Sequence, residues 1–345
     1  MPNKIEDVYN TKVVLDYSQS IVREPSNIDV LFPVKKIDDI ELDMIIGGNG
    51  TPVAASVHDW DTETEIGERE GVKIATQELA VVKRKIKLSG KEAIKLRKPR
   101  DNAELQATIK RLLDDAGSMV NTVLTRFEAM CFEVLATGKL AFSENGYSGT
   151  VDYHVPANHK EVAAKPWSDP TSDPLRDLKK WQSKIKADTG FTPKRVLTSE
   201  RIAGLIEDHE KVRLAINGNK DKFVTRTELN EFLAKKGLPT FVTEDRSYRT
   251  KVKGKLVAKR FFDEDTLSLF PEGRLGEMVY GLTEEEILLS EKNDYDLTKV
   301  GNVVTTVEFV ADPPARWTKA AAVGLPTFPT AEQVYIVTGL LGAEG

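Results

Sequence analysis

The stretch D101NAELQATIKRLLDDAGSMVNTVLTRFEAMCFEVLATG138 predicts one uninterrupted amphipathic helix. Its apolar residues recur at steps of three, four and one, which is the pattern of a single buried stripe. Asp101 and Glu104 form a capping box after Pro99, and Gly138 provides a natural stop. At 1.5 Å per residue such a helix is about 50 Å long, roughly three times the length of an average globular helix. The fold must therefore supply a long surface that covers this stripe.

The apolar stripe is wider than the seam of a coiled coil. Adjacent apolar pairs such as Leu112–Leu113 and Met130–Cys131 broaden it, and a broad stripe suits packing on a sheet rather than on one partner helix. We expect that sheet to contain the predicted strands near 79–88, 302–311 and 334–339. The helix would then be the spine of the subunit.

The composition is that of a soluble globular protein large enough for two subdomains. The chain has 345 residues, of which 40% are hydrophobic and 30% are charged. Its formal net charge of −5 argues against tight, sequence-independent binding of nucleic acid, because such binding needs a basic face that neutralises phosphates.

Cys131 is the single cysteine of the chain, so no intramolecular disulfide can form. Its place on the apolar side of the helix indicates a buried core thiol. The N-terminus MPNKIEDVYN lacks the apolar core of a signal peptide, and no apolar run approaches the roughly 20 residues of a membrane span. These features predict a protein made in a reducing cytoplasm, without a membrane partner.

Upstream of the long helix the chain divides into three segments. Residues 1–30 show neither helical nor strand period and indicate an arm without a core of its own. Residues 31–50 are compact and end in a glycine-rich turn. Residues 51–90 predict a long two-stranded hairpin with an acidic far end, 59–71, and a basic return strand. Because an isolated hairpin is marginally stable in water, we expect it to rest on a neighbouring surface.

Downstream of the helix, residues 138–173 predict a connector with a small hairpin, and an α/β subdomain follows. The predicted elements of this subdomain are a helix opened by Asp173 and Pro174 and closed by Gly190, a strand at 195–197, a helix from Ser199 to about Ile216, a helix capped by Thr225 and Glu228, a strand at 240–243, a hairpin at 248–262 turning at Gly254, and strands at 266–270 and 278–280. The C-terminus adds strands at 302–311 and 334–339, and we expect the last one to pair beside the first subdomain.

The loop Asn217–Glu228 imitates the calcium loop of an EF-hand, because oxygen ligands alternate along it. Lys222 stands where that loop needs glycine, and its ammonium would place a positive charge beside the cation. The sequence therefore favours a surface loop that ends in a helix cap.

Other candidate chemical sites are weaker still. His154 and His159 lie in a loop without cysteines, whereas a zinc site usually needs four ligands, so we expect two solvated histidines. His58 and Asp59 are strand neighbours that point to opposite faces, which makes a poor catalytic dyad. Gly47–Gly50 lacks the spacing of a dinucleotide-binding loop, and the sequence contains no P-loop, nucleophile elbow or zinc-peptidase motif. We therefore predict no catalytic, cofactor or metal site.

Several short segments, in this order along the chain, resemble one known family. They are P166WSDPTSDPLRDLKKW181, E200RIAGLIEDHEKVR213, F262DEDTLSLFPEG273, D312PPARWTK319 and G324LPTFPTAEQVYIV337. Together with the order arm, loop, spine helix and α/β lobe, they resemble the lambda-like major capsid protein E family of tailed phages, which has the Hong Kong 97-type capsid fold.

The resemblance implies an α+β protein with the parts of that fold. They are an N-terminal arm (1–30), an extended β-hairpin loop (51–90), a peripheral domain (31–50 and 91–169) with the spine helix (101–138), an α/β axial domain (170–300) and return strands of the peripheral domain (301–345). The implied function is structural and not enzymatic. The chain would be a major capsid protein of a tailed phage or prophage that assembles into an icosahedral shell around double-stranded DNA.

The resemblance also implies contacts between the extended loop and an adjacent copy of the chain. The acidic end of the loop and its basic return strand suggest ion pairs between subunits, and such single surface pairs matter only through repetition. The candidate interface residues are Asp61, Glu63, Glu65, Glu68, Arg69, Glu70, Lys83, Arg84, Lys85, Lys87, Arg316 and Trp317.

The implied partners are further copies in hexamers and pentamers, a portal, and DNA enclosed without sequence-specific binding. Some members of the family link a loop lysine covalently to an asparagine, but residues 59–71 contain no lysine, so we expect a non-crosslinked shell. No long helical leader precedes the arm, so we expect a separate scaffolding protein, and a decoration protein is a further expected partner. Assembly would take place in the cytoplasm of a bacterial host.

The sequence leaves two alternatives open. Encapsulin-type nanocompartments share the implied fold but enclose cargo enzymes instead of a genome. A small-molecule enzyme with an unrecognised site would form a discrete low-order oligomer instead of a megadalton assembly.

Overall fold

The computed structural model describes residues 9–21, 25–46, 73–88, 90–97, 101–144, 147–252, 254–291, 301–310 and 315–342. The chain divides into two compact units. The first contains residues 1–42, 76–130 and 277–327, and the second contains residues 43–75, 131–276 and 328–345. Among the described residues, no helix combines the length and hydropathy that crossing a bilayer requires.

Both helices and strands are distributed along the described chain. The α-helices are α1 (Thr11–Gln19), α2 (Asn27–Leu31), α3 (Gly90–Arg97), α4 (Asn102–Thr137), α5 (Pro174–Thr189), α6 (Glu200–Asp208), α7 (Glu210–Asn217), α8 (Arg226–Lys235) and α9 (Glu284–Ser290). The strands are β1 (Val34–Lys36), β2 (Glu41–Ile46), β3 (Lys73–Glu78), β4 (Ala80–Leu88), β5 (Lys139–Glu144), β6 (Tyr147–Asp152), β7 (Lys160–Val162), β8 (Arg195–Thr198), β9 (Thr240–Thr243), β10 (Ser247–Val252), β11 (Lys255–Arg260), β12 (Thr266–Phe270), β13 (Met278–Tyr280), β14 (Val304–Val310), β15 (Ala315–Pro326) and β16 (Tyr335–Thr338).

The long helix predicted from the sequence is α4, which has 36 residues. At its start, an Asp101 carboxylate oxygen accepts a hydrogen bond from the amide of Glu104 at 2.7 Å. At its end, Gly138 has a φ of +71°, a conformation that glycine adopts without strain. Both predicted boundaries are confirmed.

The first unit is built on a five-stranded sheet with β15 at its centre. Strand β4 pairs antiparallel along one side of β15, whereas β14 and then β13 pair antiparallel along the other side. Strand β1 extends the sheet parallel to β13. The N-terminal part of α4 packs here, since Leu112 and Ala116 share a core with Leu88 of β4. The prediction that the helix packs on strands near 79–88 and 302–311 is confirmed.

Strand β15 was missing from the predicted elements, although it is central to this sheet. Three consecutive alanines, Ala320–Ala322, are fully buried in it, and small side chains do not produce the apolar alternation that marks a strand. Gly324 is required by close packing. A Cβ atom at this position would lie 2.7 Å from the Val279 carbonyl oxygen and 3.2 Å from the Phe127 ring.

The N-terminal segment corrects another expectation. Residues 1–30 were predicted to lack helical structure, yet they contain α1 and α2. Helix α1 packs on the chain's own sheet, because Tyr9 hydrogen-bonds Thr318 and the Ser18 hydroxyl lies 2.9 Å from the Thr305 hydroxyl. The helix is short and its apolar residues are few, so the sequence pattern did not reveal it.

The second unit contains a five-stranded sheet in the order β7–β16–β12–β8–β9. The C-terminal strand β16 pairs antiparallel with β12 and parallel with β7. The prediction that this strand pairs beside the first subdomain holds only for β7, which falls in the predicted peripheral range 91–169, and β16 shares no sheet with the strands near 79–88 and 302–311. Asp265 explains its position, since its carboxylate accepts the amides of Gly339 at 2.9 Å and Leu341 at 2.8 Å just after the strand.

Most other elements of the second unit match their predictions. Asp173 caps α5, Gly190 ends it with a φ of +78°, and the β10–β11 hairpin turns at Gly254. The helix predicted from Ser199 to Ile216 is instead two helices, α6 and α7. It breaks because His209 is extended and its ring nitrogen accepts the amide of Lys211, which starts a new helix.

The predicted extended hairpin, 51–90, differs in its described part. Strand β3 pairs with β2, and β4 is a full member of the five-stranded sheet instead of an arm of the hairpin. The alternating apolar and basic side chains of β4 suit an arm of a hairpin and a strand of a larger sheet equally well. The sequence therefore could not distinguish these two positions. Residues 47–72 lie outside the described residues, and this range contains Gly47–Gly50, the His58–Asp59 pair and the acidic end 59–71.

Candidate subunit-contact surfaces

The basic residues of β4 form the first candidate surface, and the pleat of the strand separates them into two sets. Lys83, Lys85 and Lys87 lie on one face, because successive side chains of a strand alternate. In register, Lys87 is opposite Trp317 and Lys85 is opposite Lys319 on β15. Aligned partners in an antiparallel pair project to the same face. This face, formed by Lys83, Lys85, Lys87, Trp317 and Lys319, is called the basic face below.

Trp317 is the centre of the basic face. The ammonium nitrogen of Lys85 lies 4.8 Å from the centroid of its ring, and that of Lys87 lies 5.9 Å away. Both distances are within the range of cation–π attraction. Neither lysine forms an ion pair within the described part of the chain. Trp317 is only half-buried, so its ring and two unpaired cations are open to a partner.

Lys83, in contrast, is bound within its own chain. Its ammonium contacts Glu284 at 2.6 Å and Glu285 at 3.8 Å, both in the first turn of α9. The hydrogen bond from Lys83 lowers the pKa of Glu284. Lys319 completes this cluster through an ion pair with Glu285, which is 4% exposed. The interface role predicted for Lys83 must therefore coexist with an intramolecular ion pair.

Arg84 and Arg316 occupy the opposite face of the sheet from the basic face. Arg84 is in register with Ala320, and Arg316 is in register with Leu88. Arg84 is exposed and Arg316 is half-buried. The structure thus brings Lys83, Lys85, Lys87 and Trp317 together but separates the two arginines from them. Asp61, Glu63, Glu65, Glu68, Arg69 and Glu70 lie outside the described residues.

Lys319, Glu284 and Glu285 are not among the residues that the sequence predicts for this site. A signal was present in T283EEEILL289, because Thr283 and Glu286 form a capping box that starts α9. The sequence could not show that β4 and β15 pair beside α9, because these three elements are distant along the chain.

The loop Asn217–Glu228 is a helix connection, as the sequence favoured. Gly218 ends α7 with a φ of +66°, and Thr225 with Glu228 forms the capping box of α8. The amide and the hydroxyl of Thr225 each donate a hydrogen bond to the Glu228 carboxylate, and both bonds lower its pKa. Within the described ranges, no group of three or more histidine, cysteine or acidic side chains is placed to hold a metal ion.

The histidine prediction is correct for His154, which is exposed, and wrong for His159. His159 is 1% exposed, and its Nε2 lies 3.0 Å from a carboxylate oxygen of Asp188. Its ring also packs on Tyr335, 5.7 Å between centroids. The residue belongs to the core of the second unit because Asp188, far along the chain, provides its hydrogen bond. Cys131 is buried, as predicted.

The segments that carry the family resemblance are largely structural. Trp167 and Trp181 stack with 6.0 Å between ring centroids, and Trp181 stacks in turn on Tyr335. The indole nitrogen of Trp167 donates to Asp177 at 3.2 Å. These aromatic residues are fully buried in the core of the second unit. They therefore stabilise the fold and do not form a binding surface.

Comparison with solved structures defines the class of protein. A protein described as a prophage capsid protein of E. coli CFT073 aligns over 96% of this chain and 99% of its own, with a TM-score of 0.64 and 14% identity. A phage-related protein of Bordetella bronchiseptica RB50 aligns over 97% and 99%, with a TM-score of 0.56 and 11% identity. No curated protein sequence matches this chain. The fold is the Hong Kong 97-type capsid fold.

The family described as Phage major capsid protein E matches residues 44–338 of the 345-residue chain, and the chain belongs to this family. It is a structural protein and not an enzyme, the major capsid protein of a tailed phage or prophage, which forms the icosahedral shell of the virion. The predictions of the family, the fold and the structural function are confirmed.

Proposed function

We propose that this chain forms hexamers and pentamers that enclose double-stranded DNA without sequence-specific binding, with a separate scaffolding protein, a portal and a decoration protein as partners. Membership of the capsid family is the observation that carries this proposal. The net charge of −5 supports enclosure without tight binding of the DNA, because tight binding requires a net basic surface.

Each segment of the chain is assigned to one part of the capsid subunit. Residues 1–30 act as an arm, 51–90 as an extended loop over a neighbour, and 170–300 as the axial domain. Residues 31–50, 91–169 and 301–345 act as the peripheral domain. The contacts of Tyr9 with Thr318 and of Ser18 with Thr305 support an arm whose residues 9–21 lie on their own subunit.

Within this scheme the basic face receives the acidic end, 59–71, of a neighbouring subunit. Lys85 and Lys87 supply two cations that have no acidic partner among the described residues, and Trp317 supplies apolar area between them. Tryptophan is enriched among the residues that dominate binding energies at protein interfaces. Lys83 lies on the same face as this contact, whereas Arg84 and Arg316 meet a neighbouring subunit on the other face of the sheet.

The first experiment is electron microscopy of particles purified after expression of the full chain, combined with an assay for nucleic acid. Icosahedral particles are the expected result, with DNA once packaging partners are present. Particles that hold protein cargo and never nucleic acid would support the encapsulin-type alternative. Wild-type protein that stays a small oligomer with all partners present would contradict the proposal.

The second experiment tests the basic face. Trp317→Ala and the pair Lys85→Glu with Lys87→Glu should each reduce the yield of particles at least tenfold, while the soluble subunit keeps its melting temperature within a few degrees. A matched control is the pair Lys179→Glu with Lys222→Glu, which makes the same change in charge at exposed lysines that form no ion pair with the described residues. Equal particle yields from all variants would contradict the assignment of this face.

A further inference from the structure

The hairpin β10–β11 is the most strongly basic element of the second unit. Its sequence, S247YRTKVKGKLVAKR260, contains six basic residues and no acidic one. The strands pair in register from Ser247 with Arg260 to Val252 with Lys255, and Gly254 makes the turn with a φ of +81°. A two-stranded hairpin outside a larger sheet exposes both of its faces.

Most of this positive charge has no ion-pair partner among the residues that the structure describes. Arg260 pairs with Asp245 at the base of the hairpin. Arg249, Lys251, Lys255 and Lys259 form no ion pair within the described part of the molecule. Four cations close together in one hairpin repel one another, so an acidic partner surface would be stabilising.

The same hairpin exposes apolar side chains. Leu256 is 65% exposed and Val257 is 46% exposed. The register places Leu256 opposite Lys251 on one face and Val257 opposite Thr250 on the other. Each face therefore combines a large apolar side chain with basic residues, which is the composition of a protein contact with a polar rim. Exposed Leu and Val side chains would not contribute to binding a phosphate backbone, because cations and polar groups make the contacts with phosphates.

A surface of opposite character lies in the first unit, at the turn between β1 and β2. This acidic turn consists of Asp38, Asp39, Ile40 and Glu41, all of them exposed, with Ile40 at 55%. Glu78 lies beside this turn, because the amide of the next residue, Leu79, donates to the Ile40 carbonyl at 3.0 Å. Its side chain is exposed. The acidic turn and Glu78 thus present carboxylates around the apolar side chain of Ile40.

The lysines closest in sequence do not neutralise this turn. Lys35 pairs with Glu277 at 3.3 Å, and Lys36 pairs with Glu286. Asp38, Glu41 and Glu78 form no ion pair within the described residues, and an Asp39 carboxylate oxygen accepts only the backbone amides of Ile40 and Glu41. The negative charge is therefore free to meet a cationic partner.

The acidic turn is also held rigidly. The Asp39 carbonyl accepts the amide of Leu282 at 3.2 Å, and the Ile40 carbonyl is fixed by Leu79. A Cβ atom on Gly281 would lie 2.3 Å from the Asp39 carbonyl oxygen, so only glycine permits this approach. A surface fixed before binding loses little conformational entropy when a partner docks.

We propose that the β10–β11 hairpin of one subunit docks on the acidic turn of a neighbouring copy of the same chain. In this contact Leu256 lies against Ile40, and Arg249 and Lys251, which share its face of the hairpin, lie against the carboxylates. A single exposed ion pair contributes little, so the contact acts through several pairs repeated at every subunit. This inference rests on the proposed self-assembly and identifies one of its contacts.

A charge exchange tests the contact. The pair Arg249→Glu with Lys251→Glu, and separately the pair Asp38→Lys with Glu41→Lys, should each reduce the yield of particles at least tenfold by sedimentation and electron microscopy. Combining all four substitutions should restore at least a third of the wild-type yield. The control pair Lys179→Glu with Lys222→Glu should assemble normally.

Three outcomes would overturn the inference. They are normal assembly of both charge-reversed pairs, failure of the fourfold variant to recover while each pair remains folded, and intact particles of the hairpin variant that have only lost nucleic acid. The last outcome would assign the hairpin to DNA. Wild-type chain that never forms particles would instead contradict the proposed function, so the two failures are distinguishable.

A cysteine pair measures the contact directly. The native Cys131 is buried, so Ile40→Cys with Leu256→Cys adds two exposed thiols to a protein with no other reactive one. Treatment of assembled particles with a short bismaleimide should give a ladder of covalent multimers on a denaturing gel. Either single substitution, and the control pair Ile40→Cys with Phe223→Cys, should not. A ladder of equal strength from the control pair, or none from the test pair, would overturn the proposed contact.

Discussion

The ammonium group of Lys319 on β15 forms an ion pair with the buried carboxylate of Glu285 on α9. Lys83 of β4 lies 3.8 Å from the same carboxylate, so one acidic side chain joins two strands of the first-unit sheet to the helix. Burial acts to lower the pKa of Lys319, but the hydrogen bond and charge of Glu285 outweigh it, and the pKa is raised. The folded state therefore favours the charged lysine.

We predict that Lys319→Met lowers the free energy of unfolding by about 2–4 kcal/mol, because Glu285 then stays buried with only the more distant Lys83. The same substitution at Lys85, which has no ion pair, should change it by less than about 0.5 kcal/mol. Urea denaturation of the unassembled subunits at pH 7 measures both. Similar losses in the two variants would show that Lys319 acts only through its aliphatic chain.

The sign of the pH dependence follows from the raised pKa of Lys319. The contribution of this group to stability is complete below the ordinary lysine pKa, about 10.4, and is lost as the pH rises through the higher folded value. Denaturation curves of the wild type and Lys319→Met should therefore converge above about pH 10.5. Curves that stay parallel to the highest measurable pH would contradict the assigned charge state.

Tyr335 should also make the free energy of unfolding depend on alkaline pH. Burial first, and then its hydrogen bond to Glu161 at 2.6 Å, raise the pKa of its hydroxyl. In the unfolded state a tyrosine ionises near pH 10, whereas the folded state resists ionisation, so the free energy of unfolding falls above that pH. Tyr335→Phe should cost about 1–2 kcal/mol at pH 7 through the lost hydrogen bond.

The same variant should lose less stability than the wild type between about pH 9.5 and pH 11, because one group that resists ionisation has been removed. Equilibrium denaturation at several pH values measures both slopes. Tyr153, whose pKa burial also raises, stays in place and keeps part of the alkaline slope. An unchanged slope in Tyr335→Phe would refute the prediction.

The spine helix provides the third prediction. Val123 and Phe127 are each 1% exposed, and the Phe127 ring meets Tyr280 edge to face at 5.0 Å between centroids. Val123→Asp or Phe127→Asp should abolish folding, because an unpaired charge would be buried in the first-unit core. Asn121→Asp, at an exposed position of the same helix, should leave circular dichroism and the melting temperature nearly unchanged. Folded, soluble Val123→Asp protein would show that the helix is not packed in the core.

The fourth prediction concerns covalent crosslinks in the shell. Residues 59–71 contain no lysine, so the lysine-to-asparagine link found in some members of the family has no donor there. Assembled particles boiled in SDS should migrate as a single monomer band. A ladder of covalent multimers from the wild type would contradict this prediction.

Local features of the fold were predictable from the sequence, and the exceptions are instructive. The caps Asp101, Asp173 and Thr225 marked their helices correctly, since a cap acts within three residues of its own position. Helix α1 was missed because it is short, and β15 was missed because its buried residues are small. His209 was read as part of one helix, because its extended backbone is fixed by Ser172, whose hydroxyl lies 3.1 Å from the His209 ring nitrogen.

The candidate contact surfaces were predictable only in composition. The sequence identified the lysines of β4 and the tryptophan of β15, but not that Lys85 and Lys87 flank that tryptophan. The relation depends on antiparallel register between two distant strands, for which a single sequence carries no signal. The acidic turn and the hairpin escaped notice for a similar reason, since their free charges are visible only once the ion pairs of Lys35, Lys36 and Arg260 are known.

The sequence alone determined the long helix, its two ends, most elements of the α/β subdomain and the capsid family. These follow from periodicity, capping residues and short motifs, which act over a few neighbouring residues. Only the tertiary structure decided that β16 joins the second-unit sheet, that β4 joins the first-unit sheet, and that Lys319 pairs with Glu285. Each of these joins segments far apart in the chain, and the partners are selected by the packing of the complete core.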